Sequence, residues 1–119
     1  TWPPHGVAGT DEADLHPEIL NITEKINYSV KKGMFQAAYS GFEGSDGEQS
    51  LKQILTKESI ASIDIVGLAF DHCVKATAID SAQAGFKTRV LSKLTAAVSP
   101  VNTKVVSDEM RSHGVEVIK

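Results

Sequence analysis

Residues 62–74 read SIDIVGLAFDHCV. Ile63, Ile65, Val66 and Leu68 form a nearly continuous apolar run, the pattern of a strand buried on both faces of a parallel sheet. Beyond it, Val74, Ala78 and Ala82 fall four apart, and Gly85 stands where a helix C′ residue belongs. Between strand and helix lies Cys73, the single cysteine of the chain. Thr88–Leu91 reads as the next short strand. Ser99-Pro100 has the form of a hydroxyl N-cap followed by proline at N1. Val101, Val105, Val106 and Met110 make the apolar stripe of the helix this opens, which ends at His113-Gly114. Val115–Ile118 closes the chain as a strand.

Upstream, Leu51, Ile54 and Leu55 fall at helical spacing and predict a short amphipathic helix over about 47–57. Ile26–Val30 alternates apolar and polar like a half-buried strand, stopping at Lys31-Lys32-Gly33. Phe35–Gly44 reads as a glycine-punctuated loop, with Tyr39 and Phe42 as aromatic anchors. Residues 1–25 hold three of the four prolines and no sustained periodicity, so they are read as loops. From residue 47 the order is helix, strand, helix, strand, helix, strand. Such alternation predicts parallel strands joined by right-handed crossovers: an α/β, three-layer, mostly parallel sheet within one domain of 119 residues. Residues 26–119 supply the α/β part of that domain.

Bulk properties exclude several classes. A net charge of −3 offers no electrostatic footprint for nucleic acid or an anionic membrane. No apolar run approaches the roughly 20 residues of a membrane span. One cysteine leaves no internal disulfide, which points to a reducing, cytoplasmic setting.

In open parallel sheets, ligands bind beyond the carboxyl ends of the strands, and Cys73 sits at such an end. The first turn of a helix favours a thiolate, because its N–H groups are unpaired and the macrodipole is positive there. The same N–H groups can receive a developing oxyanion. A lone cysteine can equally be a small buried hydrophobe, and residue type and position leave both readings open. His72 is no base for its neighbour, since adjacent helical residues do not face each other.

The stretch Asp71-His72-Cys73-Val74 after a Gly-x-Ala turn, with Leu94-Thr95-Ala96-Ala97-Val98 downstream, resembles the cysteine hydrolases of the isochorismatase-like superfamily. Three further stretches bring it closer to the nicotinamidases, also called pyrazinamidases: Trp2–Thr10 (WPPHGVAGT), Lys32-Gly33, and Tyr39–Gly44 (YSGFEG). The resemblance runs from the first residue to the last strand. It implies hydrolysis of nicotinamide to nicotinate and ammonia through a cysteine acyl-enzyme, in the recycling of nicotinamide into NAD, with pyrazinamide as a further substrate. Cys73 matches the nucleophile and Lys32 the assisting lysine. The backbone N–H groups of Cys73 and Ala69 match the oxyanion hole, with Leu68-Ala69 joined by a cis peptide. Trp2, Tyr39, Leu68 and His72 match positions about the substrate pocket. His5 matches a ligand of the family's divalent metal (zinc, iron or manganese), so residues 1–25 become the metal and substrate loop region.

This chain departs from the family pattern in three places. Gly6 stands where cysteine is common. Phe70 stands where threonine precedes the Asp-x-Cys turn, which bears on the pocket wall or the oxyanion turn and so on substrate preference. No acid here matches the catalytic aspartate or the Asp-x-His metal motif, which in the family precede the Trp-Pro-x-His stretch. The resemblance therefore implies the C-terminal part of a longer enzyme, with the missing strands lying between Ile26–Val30 and Ile63–Leu68. The expectation for the 119 residues alone is low stability, no activity and no retained metal. Two rivals stand beside this reading: a related hydrolase of carbamoyl or ureido substrates, and a non-enzymatic domain that senses oxidants through Cys73.

Overall fold

A computed structural model describes residues 27–32 and 40–119. Trp2, His5 and Tyr39 lie outside the described residues, as do Gly6 and Ile26. After a short 3₁₀ turn at Gly41–Glu43 come helix α1 (Leu51–Lys57) and strand β1 (Ser62–Leu68). A π-helical turn at Phe70–Val74 then runs into α2 (Lys75–Gln83). Strand β2 (Lys87–Ala96), a 3₁₀ turn at Pro100–Asn102, α3 (Thr103–Ser112) and β3 (Glu116–Ile118) complete the order. The three strands lie side by side as β1-β2-β3, all parallel. The α/β fold with a parallel sheet is therefore present as expected.

Register decides which face is buried. Ile65 pairs with Val90, and Val90 with Val117, so these three share one face of the sheet. Against them pack Val74 and Ala78 from the α2 side and Val106 and Met110 from α3. Two successive right-handed crossovers, each moving one strand in the same direction, put both helices on the same side. The other face carries Asp64, Val66, Arg89 and Glu116, which are exposed or half-buried among the described residues. Val66 is 51% exposed, so among the described residues β1 is covered on one face, where its apolar run suggests both. At the amino ends of the strands this face forms a polar hollow of about 430 Å³ lined by Ser62, Asp64, Lys87, Arg89 and Glu116. It lies at the opposite end of the sheet from Cys73.

The helix ends follow their local chemistry. Ser50 caps α1 by accepting from the Gln53 N–H, and the Gln53 side chain accepts from the Ser50 N–H in return. The residues before Ser50 are held in a turn around the Asp46 carboxylate, which is why the helix begins at Leu51 and not near 47. Ser50→Ala removes the cap, and a loss of about 0.5–2 kcal/mol in denaturant unfolding is expected. Gly85 and Gly114 adopt φ of 97° and 87°, the left-handed conformation that ends α2 and α3. Where α2 meets β2, Ser81 Oγ and Thr88 Oγ1 lie 2.6 Å apart, and Thr88 donates onward to the Phe86 carbonyl, so both buried hydroxyls are satisfied.

Three expectations change. Residues 27–30 form no strand; instead, Lys31 makes a single antiparallel bridge with Ser45, because no described strand lies alongside to extend a ladder. Val101 and Val105 are exposed, and only Val106 and Met110 of the supposed stripe enter the core. The helix proper starts two residues beyond Val101, after a 3₁₀ turn, which rotates that valine outward. Ser99 does not cap that turn with its side chain; its N–H is committed elsewhere, as shown below.

Candidate active site

Cys73 lies beyond the carboxyl end of β1, in the turn that opens α2. The turn is wider than the α-helical one expected. The Ala69 carbonyl accepts from the His72 N–H at 3.1 Å and from the Val74 N–H, five residues on, at 3.0 Å. Such wide turns recur at functional positions in helices. Phe70, Asp71 and Val74 face inward and are buried, while His72 and Cys73 take the outer arc and are partly exposed. The thiol is thus not a core hydrophobe. Phe70, 2% exposed, packs with Ile65, Val74 and Val90 beneath the turn. It does not share the outer arc with Cys73; it underlies the turn that carries Ala69 and Cys73.

The Leu68-Ala69 peptide bond is cis, as the resemblance implies. Leu68, Ala69, His72 and Cys73 therefore come from one continuous corner. Leu68 is 73% exposed and stands at the rim.

Asp71 anchors this corner. Its side chain is 6% exposed, and its two oxygens accept from the Val98 and Ser99 N–H groups, each at 2.9 Å. Burial alone would raise its pKa, but these amide donors outweigh it and hold the carboxyl below the usual aspartate range. A carboxyl lowered in the fold contributes stability above the unfolded value near pH 3.9, and that contribution disappears as pH falls through the folded value. The melting midpoints of wild type and Asp71→Asn are accordingly expected to differ near neutrality and to converge below about pH 4; a gap that stayed constant down to the lowest pH would contradict this.

The segment carrying Lys32 is tied to the 41–45 turn, and that turn to α2. Lys31 exchanges two hydrogen bonds with Ser45, at 2.9 and 3.0 Å. The Gly41 N–H donates to Thr77 Oγ1 at 2.8 Å, on α2 one helical turn beyond Cys73. Gly44 lies between, and a Cβ there would sit 2.8 Å from both the Lys31 carbonyl oxygen and Val30 Cγ1. Gly44→Ala should cost about 1–3 kcal/mol through this overpacking, read as a lowered melting midpoint. Lys32 is partly buried. Among the described residues, no three His, Cys, Asp or Glu side chains cluster to hold a metal. No helix among them is long and apolar enough to cross a membrane.

Sequence reading missed Asp71, Thr77 and the Val98-Ser99 amides as parts of this corner. Asp71 carried a usable signal: an acid directly after a large apolar residue, Phe70, that is buried. The amides carried none, because a backbone donor looks the same at every position.

The Isochorismatase domain family matches residues 1–119. The nicotinamidase/pyrazinamidase of Mycobacterium tuberculosis is 44% identical over 99% of this chain and 63% of its own length. PnC1 from L. infantum, solved in complex with nicotinate, is 34% identical with a TM-score of 0.88, over 100% of this chain and 61% of that one. The pyrazinamidase of Pyrococcus horikoshii, solved in complex with zinc, is 30% identical with a TM-score of 0.77, over 100% of this chain and 63% of that one. The chain thus spans about three fifths of the length of these relatives. With a parallel sheet, a cis bond at the end of its first strand and a cysteine on the turn that follows, the chain belongs to the isochorismatase domain family.

Proposed function

We propose that this chain carries the nucleophile of an amide hydrolase that converts nicotinamide to nicotinate and ammonia. The observation that carries the reading is the position of Cys73: partly exposed, on the outer arc of a helix-opening turn, beyond the carboxyl end of a parallel strand. The nicotinamidase relatives and the nicotinate held by the L. infantum protein support the substrate class.

The Cys73 thiolate attacks the carboxamide carbon, and the carbonyl oxygen becomes an oxyanion facing the N–H groups of Cys73 and Ala69. Collapse breaks the C–N bond. Ammonia leaves with a proton supplied from the site, and a thioester remains on Cys73. Water then adds to the thioester carbon, releasing nicotinate and the free thiol. Lys32 assists by favouring the thiolate. Trp2, Tyr39, Leu68 and His72 border the ring, and pyrazinamide, a similar ring carboxamide, fits the same scheme.

The zinc in the P. horikoshii pyrazinamidase supports a divalent metal, zinc, iron or manganese, with His5 as one ligand. When bound, such an ion would hold the ring nitrogen. The described residues add no ligand cluster to His5, and the bond changes written above involve the thiol, the amide donors and water alone. A single cysteine with no internal partner supports a cytoplasmic setting.

Ammonia release by the full chain from nicotinamide, compared with release from N-carbamoyl compounds, tests the assignment. Turnover of nicotinamide is expected. Turnover confined to the carbamoyl compounds would transfer the site to that rival chemistry, and a stable sulfenate formed by mild peroxide, with no turnover of either, would favour redox sensing.

A further inference from the structure

We propose that Asp71 is a positioning residue for Cys73, locking the nucleophile's turn to the corner that follows β2. The proposal rests on the reading of Cys73 as the nucleophile. It starts from a motif without an assigned role, the run Leu94–Val98.

Strand β2 is irregular where it passes the site. Ile65 pairs with Val90, but Gly67, two residues on, pairs with Thr95, five residues on. The extra residues of β2 bulge out, and the ladder resumes with Leu68 opposite Ala96. This brings the chain after Ala96 alongside the turn that bears Cys73. There the two Asp71 oxygens meet two successive amides, Val98 and Ser99. The bidentate contact crosses 27 and 28 residues of sequence, so it extends the tie between the two segments beyond their last ladder pair, Leu68 and Ala96. Both segments leave the carboxyl end of the sheet, and the Asp71 carboxylate spans them there. Asp71 is two residues from the thiol within a single turn, and a shift of its backbone moves Cys73 and its N–H together.

A neutral side chain at 71 should therefore leave substrate binding largely intact and slow the chemistry. In the full chain, kcat per folded molecule for ammonia release from nicotinamide is expected to fall by about 10²-fold in Asp71→Ala, the scale of a misplaced reacting group. KM should stay near the wild-type value. Asp71→Asn keeps one carbonyl oxygen able to accept one of the two amides, so it should recover part of the loss. Ser81→Ala, which breaks a buried hydroxyl pair at the far end of α2, serves as the control for destabilisation alone and should keep its kcat per folded molecule. The folded fraction is taken from near-UV circular dichroism.

The graded series with unchanged KM supports the proposal. A wild-type kcat per folded molecule in Asp71→Ala, or a loss that falls wholly on KM, overturns it. If Asp71→Ala does not fold, Asp71→Asn decides alone, and wild-type kcat in that variant overturns the proposal. Cys73→Ala run in parallel separates the two levels: if it is inactive while the Asp71 variants are normal, only the positioning role fails. If it retains turnover, the nucleophile reading fails and the positioning role with it.

Discussion

Cys73→Ala eliminates ammonia release, with kcat falling on the order of 10⁶-fold, the scale seen when a hydrolase loses its nucleophile. The fold should survive the change. Cys73 sits on the outer arc of its turn, partly exposed and outside the buried cluster of Ile65, Phe70, Val74, Ala78, Val90, Val106, Met110 and Val115. Alanine also suits a helix-opening position better than most residues. The melting midpoint should thus stay close to that of wild type while turnover vanishes. A variant that melts normally and still releases ammonia would falsify the acyl-enzyme route through Cys73, the one thiol among these 119 residues.

The second large effect is on stability. Met110 is fully buried and belongs to the cluster that joins α3 to the sheet. Met110→Ala removes its side chain from a site bounded by Val90, Val106 and Val115, where rigid β-branched neighbours fill the void poorly. The expected cost is about 2–5 kcal/mol. Against the roughly 5–15 kcal/mol that holds a typical domain folded, this should lower the melting midpoint by about 10 °C or more. Val101→Ala provides the contrast. That valine is 91% exposed, so its loss should leave the midpoint almost unchanged. Equal destabilisation by the two would mean that α3 packs through its other face.

The contrast between these two residues shows what a one-dimensional pattern can carry. Val101, Val105, Val106 and Met110 all suit a helical stripe, but the stripe's phase depends on where the helix begins. Pro100 opens a 3₁₀ turn before the α-helix. That alters the rotation per residue, so the phase slips and Val101 faces water. Likewise, Ile63 to Leu68 reads as buried on both faces because apolar side chains cannot report which of their faces is covered. The handedness of two successive crossovers is what puts α2 and α3 on one side of the sheet.

The residues by themselves determined the order of strands and helices from 51 onward, the glycines that end α2 and α3, and the place of the thiol at a strand-to-helix junction. Those features follow from local side-chain chemistry: periodicity, caps and left-handed conformations. The tertiary structure alone decided that Cys73 faces outward while Phe70 faces in, that β2 bulges to bring Val98 and Ser99 beside the turn, and that Asp71 receives both of their amides. These are meetings between segments distant along the chain, made by backbone groups that every residue carries. Their pairing is selected by the packing of the whole sheet, and no residue type announces it in advance.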